Sequence, residues 1–120
     1  MKPMIEAIIP VLPVKKLSES LDFYTNKLGF NIEWQGEVVG AVSRDNCQIM
    51  LSQMHGEKKP TWVWIGLQDS SWFEELPEKG IKVHQPPTNQ TYAYEMKVED
   101  IDGNILWLGT GPRSDLPVES

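Results

Sequence analysis

At 120 residues, with 40% hydrophobic and 23% charged residues, the chain has room for one domain with one core. A net charge of −6 disfavours nucleic-acid binding, and no apolar run reaches the ~20 residues of a membrane span. A single cysteine, Cys47, excludes an internal disulfide, and the N-terminus lacks a secretory-signal pattern. We therefore expect a cytoplasmic protein without nucleic-acid or membrane partners.

The first half of the chain predicts a strand, a helix and three further strands. Residues 5–12 are apolar and β-branched, and Pro10 indicates a strand that lies at an edge or is exchanged with a partner. The helix is marked by apolar residues at helical spacing: Leu17, Leu21, Tyr24 and Leu28. Gly29 provides its C-cap. Strands follow at residues 30–34, 38–43 and 47–53, the last two joined by a tight turn at Asp45-Asn46.

After a polar linker, the second half predicts the same order of elements. Its strands are predicted at residues 61–67, 81–84, 92–99 and 104–109. Ser71 and Glu74 form a capping-box pattern for a short helix that Gly80 ends. Residues 85–91 are rich in proline and predict a loop, and the tail at 110–120 is expected to be loose.

These elements form two copies of a βαβββ unit, at residues 5–53 and 61–109, which predicts an α+β fold. The segment 28–32 corresponds to 79–83, and each unit closes with two strands around an acidic turn. One unit alone leaves a sheet face to bury. Two units must therefore associate, either within the chain or across a dimer.

Three segments carry a family resemblance: Pro10-Val11-Leu12, the run Leu21-Asp22-Phe23-Tyr24 with Lys27-Leu28-Gly29-Phe30, and the closing hairpin at residues 95–104. They resemble the glyoxalase/bleomycin-resistance group, the vicinal oxygen chelate superfamily. The resemblance covers roughly residues 5–109 and implies one glyoxalase-like domain over residues 1–120. Because this fold hosts several chemistries, its motifs specify the superfamily better than the function.

Two further runs are similar to bleomycin-binding resistance proteins. Residues 8–12, Ile-Ile-Pro-Val-Leu, resemble their first strand, in which the proline turns the chain toward the partner subunit. Residues 62–65, Trp-Val-Trp-Ile, resemble a run in their fifth strand. This resemblance implies a homodimer, an exchanged N-terminal strand and two ligand clefts at the dimer interface.

Metal-dependent members of the superfamily place His, Glu or Gln at four inward strand positions. By resemblance these positions are Ile9, Met50, Trp107 and either Val63 or Trp62. None of these side chains is such a ligand, and His55 and His84 are predicted in a linker and at a strand end. We therefore expect no metal and no cofactor. Cys47 is predicted to be a core residue and Glu95 at most a lone general base, so no catalytic residue is assigned.

Aromatic residues form the candidate site. Trp62 and Trp64 alternate along one strand, and Tyr92 and Tyr94 along another, so each pair is predicted to share a sheet face. Rings of this kind suit a planar ligand, and the carboxylates of Glu33, Glu37 and Glu95 suit a cationic tail. With the positions that the resemblance adds, the predicted ligand-binding residues are Trp34, Val39, Ser52, Trp62, Trp64, Tyr92, Tyr94 and Glu95.

Together these features predict a metal-free homodimer that sequesters a bleomycin-like, cationic, partly aromatic antibiotic and confers resistance by stoichiometric binding. One alternative is a glyoxalase-like metal-dependent lyase or isomerase, or a thiol transferase. Another is a carrier or regulator that binds a different planar metabolite. Metal analysis separates the first alternative from the antibiotic-binding protein, and a ligand panel separates the second.

Overall fold

The computed structural model describes residues 3–54 and 59–119. The chain divides into two compact units, Met1–Glu57 and Lys58–Ser120, and each unit is described by itself. In each of them the structure shows one helix and one four-stranded sheet.

The elements of the first unit are β1 (Val11–Pro13), α1 (Leu17–Asn26), β2 (Asn31–Gln35), β3 (Val39–Arg44) and β4 (Cys47–Ser52). The strand order is β1-β4-β3-β2, with β1 parallel to β4 and the other neighbours antiparallel. The buried residues of α1 recur on one side of the helix, which covers one sheet face. A Cβ built on Gly40 would lie 3.6 Å from the side chains of Leu17 and Leu21, so Gly40 of β3 faces α1.

Both predicted turns of the first unit are confirmed. α1 ends shortly before Gly29, whose φ of +72° is the left-handed conformation that glycine adopts without steric cost. Asp45 and Asn46 have φ values of +50° and +65°, which suit the two-residue turn between β3 and β4.

The first strand is shorter than predicted. Only Val11–Pro13 pairs with β4. Residues 3–10 lie outside any strand, and the side chains of Ile5 and Ile8 are exposed. Pro10 has no backbone N–H to give to a strand ladder, so regular pairing in this unit begins only after it.

The elements of the second unit are β5 (Trp62–Gly66), α2 (Trp72–Glu78), β6 (Val83–Asn89), β7 (Tyr94–Glu99) and β8 (Ile105–Thr110). The strand order β5-β8-β7-β6 repeats that of the first unit, again with the first and fourth strands parallel. The predicted α+β fold of two βαβββ units is therefore confirmed. Neither described helix is long and apolar enough to cross a membrane.

The capping box predicted for α2 is wrong. The hydroxyl and the backbone N–H of Ser71 donate to the carboxylate of Asp69 at 2.6 and 2.9 Å, and the Ser71 side chain makes no capping bond to the helix. These two hydrogen bonds lower the pKa of Asp69. A hydrogen bond to a charged acceptor is stronger than one to a neutral group. The Ser71 hydroxyl therefore bonds to Asp69 and not, as the capping-box pattern predicted, to the backbone of α2.

The proline-rich segment 85–91, predicted as a loop, lies mostly in β6. This strand continues through Pro86 and Pro87 because it is at the edge of the sheet, where a nitrogen without a proton can face away from the ladder. The pairing of β6 with β7 shifts its register on both sides of Gln85. Hydrophobic alternation in the sequence therefore fails to mark this strand.

The C-terminal segment is anchored, where the sequence favoured a loose tail. The buried amide of Asn89 donates to the carbonyls of Arg113 and Leu116 at 2.8 and 3.1 Å and accepts from the Arg113 N–H at 2.8 Å. The N–H of Glu119 donates to the Asn89 carbonyl at 2.8 Å. The Arg113 guanidinium also lies 5.4 Å from the ring centroid of Tyr94. These contacts hold the segment against the second sheet.

Candidate ligand-binding face of the second sheet

One face of the second sheet is its apolar core. The ring of Phe73, in α2, contacts the ring of Tyr94, in β7, with centroids 5.0 Å apart. Met96 and Val98 follow Tyr94 at alternate positions of the same strand and are fully buried. Since alternate residues of a strand share a face, α2 covers this side of the sheet.

The opposite face carries large aromatic and charged side chains. Lys97 lies between two core residues of β7 and so points away from α2. Its cross-strand neighbour is Trp107 in β8, and the neighbour of Trp107 in β5 is Trp64. Trp62 and Glu95 each lie two positions from a member of this row and share its face. The prediction that Trp62 and Trp64 share a face is confirmed.

Four rings on this face, Trp62, Trp64, Tyr92 and Trp107, form what we term the aromatic cluster. Trp107 is its centre: the ring centroids of Trp62, Trp64 and Tyr92 lie 6.4, 5.2 and 6.3 Å from that of Trp107, at interplanar angles of 73°, 83° and 86°. Such edge-to-face contacts are favourable because a positive ring edge meets a negative ring face. Trp62, Trp64 and Tyr92 are 54%, 46% and 57% exposed. These exposed rings make the face a candidate binding surface.

Trp64 has a fixed place in the cluster because Gly109 of β8 carries no side chain. A Cβ built on Gly109 would lie 2.1 Å from Cη2 of Trp64 and 2.7 Å from its Cζ2, distances that no real contact allows. The indole therefore lies directly on the backbone of Gly109. Only glycine at this position leaves room for the ring.

Glu95 is the buried carboxylate beneath the cluster, with 1% of its surface exposed. Its Oε1 accepts the hydroxyl proton of Tyr92, and its Oε2 accepts from Nε2 of Gln85 at 2.9 Å. Burial is the largest influence and raises the pKa of Glu95, whereas the bonds from Tyr92 and Gln85 lower it. The indole N–H of Trp107 and the charge of Lys97 also lower it. Together these effects outweigh burial, so the pKa of Glu95 is below its ordinary value. Glu95 is therefore ionised and fixes the ring of Tyr92.

The same bond acts on Tyr92, whose pKa is raised chiefly by donating its proton to Glu95. The indole nitrogen of Trp107 is buried and makes no hydrogen bond of good geometry with any described residue. Its N–H is nevertheless near enough to the carboxylate of Glu95 to lower the pKa of that group. We interpret this as a long polar contact that orients the central ring.

Lys97 brings a positive charge to the cluster. Its Nζ lies 5.4 Å from the ring centroid of Trp62 and 5.0 Å from that of Trp107, which is cation–π distance. The same atom is 3.8 Å from Oε2 of Glu95. The side chain of Lys97 is 18% exposed, so it is not sealed from solvent.

The carboxylate of Glu99 lies at the rim of the aromatic cluster, beside His84. The ring of His84 stands 6.4 Å from that of Trp62, and its Nδ1 is 3.4 Å from Oε2 of Glu99. The same oxygen pairs with Nζ of Lys82 at 3.5 Å. Glu99 is therefore shared between two basic side chains.

The prediction that Tyr92 and Tyr94 share a face is wrong. β7 begins at Tyr94, whose ring lies on the α2 side against Phe73. Tyr92 lies in a bend before the strand, and its hydroxyl reaches Glu95 on the other side. The two-residue alternation of side chains holds only within a strand. Of the two tyrosines, the structure places Tyr92 in the cluster and Tyr94, partly buried, on the α2 side of the sheet.

The predicted site residues of the first unit share one face of its own sheet. Val39 pairs with Ser52, and Trp34 pairs with Ala41. Since Gly40 faces α1, these residues point to the side of the sheet that α1 does not cover. Ser52 is buried and Trp34 is 43% exposed.

The three carboxylates predicted to meet a cationic ligand have different surroundings. Glu95 is buried and engaged as described above. The carboxylate of Glu33 accepts from the hydroxyl of Ser43 at 2.7 Å at an exposed position, and Glu37 is exposed. Of the three, only Glu95 lies beside the aromatic cluster within the second unit.

The positions that hold a metal in metal-dependent relatives do not fit one here. Trp62, and not Val63, shares the face of Trp107, which decides the register left open by the sequence. An indole ring offers no lone pair to a metal ion. Across residues 3–54 and 59–119, no three His, Cys, Asp or Glu side chains form a group that could hold a metal ion. His55 lies outside the described residues, and Cys47, predicted to be buried, is exposed where β4 follows the hairpin turn.

Trp107, the centre of the cluster, was predicted only as a position that matches a metal ligand and not as a ligand-binding residue. Three further contributors to the aromatic face were not predicted. Lys97 lies two residues after Glu95 in a predicted strand, so strand alternation alone would have placed both on one face. Gln85 falls in the segment predicted as a loop. The role of Gly109 depends on its alignment with Trp64, which no pattern in the sequence reveals.

Two βαβββ units, each with one helix and a four-stranded sheet of the same strand order, define a glyoxalase-like fold. The profile of the Glyoxalase/Bleomycin resistance protein/Dioxygenase superfamily matches residues 7–108. The chain belongs to this superfamily, as the resemblance implied. No curated protein sequence matches the chain.

Solved structures show the same fold at low sequence identity. A glyoxalase/bleomycin resistance protein/dioxygenase from Nocardioides is 18% identical with a TM-score of 0.73, covering 100% of this chain and 91% of that one. Lactoylglutathione lyase from Agrobacterium tumefaciens is 14% identical with a TM-score of 0.75, covering 92% and 96%. TioX from Micromonospora sp. ML1 is 13% identical with a TM-score of 0.74, covering 87% and 97%. At these identities the likeness shows the fold alone.

Proposed function

We propose that this chain is a binding protein that holds a planar aromatic small molecule against the aromatic cluster without converting it. The observation that carries the proposal is the exposure of three large rings, Trp62, Trp64 and Tyr92, around the central Trp107. Rings that serve only the core would be largely buried, as Phe73 is. Exposed ring faces offer a flat partner the stacking contacts that aromatic pairs prefer.

The fixed positions of the rings support binding. Tyr92 is held by its hydrogen bond to Glu95. The ring of Trp64 packs on the backbone of Gly109, and the ring of Trp62 packs against Trp107. A ligand that stacks on rings already in place loses less conformational freedom on binding than one that must order them.

The chemistry of the face supports binding without turnover. Glu95 is the one ionised carboxylate at the centre of the aromatic cluster, and both of its oxygens accept hydrogen bonds from side chains of this chain. A general base must reach the proton that it removes, and Glu95 is buried. The competing function is that of a glyoxalase-like lyase or isomerase. Activity on a hemithioacetal that depends on added Ni²⁺ or Zn²⁺ would refute a purely binding role.

The finer expectation, a bleomycin-like antibiotic sequestered by a homodimer, stays within this proposal. The bithiazole of bleomycin is a planar ring system of the required kind. Ile5 and Ile8, exposed ahead of β1, are the apolar surface that a second copy would cover. Static light scattering at micromolar concentration tests the dimer, and a monomeric mass would remove that part of the proposal.

Replacing Trp62 with Ala tests the proposal directly. The change should weaken binding of an aromatic ligand by roughly 1–3 kcal/mol, the scale of a lost aromatic anchor. Stability should fall by less than the roughly 3–5 kcal/mol typical of a buried Trp, because the Trp62 ring is half exposed. Titration calorimetry and quenching of tryptophan fluorescence, with bleomycin and simple planar heterocycles as ligands, measure the affinity. Thermal melting measures the stability.

Trp72→Ala is the matched control, because Trp72 begins α2 and is no member of the cluster. It should leave affinity unchanged. If Trp62→Ala keeps full affinity for a ligand that binds the wild type, while stability drops as for a buried Trp, the ring serves the fold and the proposed site is misplaced.

A further inference from the structure

The charges on the aromatic face indicate which ligands it can take. It holds two carboxylates near the rings, and the structure engages both. Glu95 accepts from Tyr92 and Gln85, and Glu99 is shared between Lys82 and His84. A cationic ligand would have to compete with these partners for carboxylates whose charge they already share, and Glu95 is in addition buried.

Lys97 is less fully engaged. Its ammonium group forms an ion pair with Oε2 of Glu95 at 3.8 Å, a distance too long for a hydrogen bond. An ammonium group has three N–H donors. These donors are therefore available beside the rings of Trp62 and Trp107, over which the charge already lies.

The position of Lys97 also favours negatively charged ligands over positively charged ones. Its charge occupies the cation–π positions of Trp62 and Trp107 that a cationic ligand would otherwise use, and it repels a second cation. A planar ligand with an anionic group at its edge would instead stack on the rings and accept hydrogen bonds from Nζ. Such charge-assisted bonds are about twice as strong as neutral ones.

Two of the negative charges, Glu95 and Glu99, lie near the cluster and are each paired with a lysine of this chain, whereas the rest of the net charge of −6 opposes an anion from a distance. Exposed charges more than about 8 Å away are largely screened at physiological ionic strength. Lys97 would touch the ligand, so its charge decides the preference at the aromatic cluster.

We propose that the aromatic cluster selects a planar aromatic acid, a ring system bearing a carboxylate or similar anion, and that Lys97 is the specificity-determining residue that receives the anionic group. This inference rests on the proposed function, since it presupposes that the rings bind an aromatic ligand. An aromatic acid and the cationic antibiotic that the sequence favoured are competing ligands for the same rings, and titration with compounds of both charges distinguishes them.

The test compares one ring system in three charge states. Quinoline-2-carboxylate, its neutral amide and protonated 2-(aminomethyl)quinoline are titrated into the wild-type protein at pH 7, with tryptophan fluorescence and calorimetry as readouts. The carboxylate should bind about tenfold or more tighter than the amide, and the cation more weakly than the amide. Lys97→Met, which keeps the aliphatic stem, should bring the carboxylate to the affinity of the amide.

Lys82→Met is the matched control, because Lys82 pairs with Glu99 at the rim and its side chain is 75% exposed. It should preserve the preference for the carboxylate, and melting curves of both variants show that the fold is kept. If all three compounds bind in a manner that depends on Trp62 but without a preference for the anion, the inference about Lys97 is overturned and the proposed function stands. If none binds, or binding ignores Trp62, both are overturned.

Discussion

Gly109→Ala tests whether the contact of the Trp64 ring with the backbone of β8 requires a glycine at position 109. The new Cβ would lie 2.1 Å from Cη2 of Trp64, whereas ordinary contacts begin at 3.4 Å, so the ring must retreat by about 1.3 Å, the difference of these two distances. Overpacking of this kind costs roughly 1–3 kcal/mol. In an extended strand, Ala is itself favoured over Gly by roughly 0.5–1 kcal/mol. Because Trp64 is half exposed, its ring can swing toward solvent. We therefore expect a net loss of about 1 kcal/mol, near the lower end of the range.

Gly66→Ala is the matched control, because Gly66 is the cross-strand partner of Gly109 and its added Cβ would stand at 3.4 Å from Nε1 of Trp64, an ordinary contact. It should leave tryptophan emission nearly unchanged and should not lower stability, since Ala is favoured over Gly in a strand by roughly 0.5–1 kcal/mol. Gly109→Ala should shift the emission of Trp64 to the red and lower the melting temperature by roughly 4 °C per kcal/mol lost.

A double-mutant cycle identifies the cause of any loss. In a Trp64→Ala background the clash is absent, so Gly109→Ala should cost nothing or should stabilise by roughly 0.5–1 kcal/mol. An equal loss of stability with and without the Trp64 ring would refute the argument, because the strain would then come from the backbone of β8 and not from the indole.

Two further substitutions test the polar contacts of the second unit. The folded state lowers the pKa of Glu95, so its contribution to stability is present above the ordinary glutamate pKa of 4.5 and is lost as pH falls through the lower, folded value. Glu95→Gln should therefore flatten the loss of stability on acidification below that pH, and parallel denaturation curves for the two proteins would contradict the assignment. Asn89→Ala should cost about 2–3 kcal/mol in urea denaturation and speed tryptic cleavage after Arg113, because three hydrogen bonds that anchor the C-terminal segment are removed. Thr88→Ala, which loses only a local bond to Pro86, should do neither.

The sequence predicted the repeated fold because the features that encode it are local. The left-handed positions at Gly29, Asp45 and Asn46 each need a residue type that tolerates positive φ, and the sequence shows them directly. Strand β6 was missed for the opposite reason. Its prolines are unfavourable within a strand, and only its place at the sheet edge makes them acceptable. The extent of β1 likewise depends on which strand lies beside it.

The candidate site was predictable only as far as side-chain alternation reaches. Trp62 and Trp64 were placed on one face correctly because both lie inside one strand. Tyr94 was misplaced because the strand begins at that residue and the bend before it reverses the direction of Tyr92. The position of the Lys97 charge over the rings was not predicted, because it depends on which residues lie opposite Lys97 on the neighbouring strand. That pairing is set by strand register, which the sequence does not show.

The buried charge of Glu95 is the feature of the aromatic face that packing alone does not account for. Burial by itself would raise the pKa of this carboxylate, and its hydrogen-bond partners and Lys97 more than offset that penalty, because the net pKa is lowered. What Glu95 provides is direction: its two oxygens fix Tyr92 and Gln85, and its charge keeps the ammonium group of Lys97 close to the rings. The face thus holds one phenol and one cation in defined positions beside exposed rings. That placement is what the proposed recognition of a flat, negatively charged molecule requires.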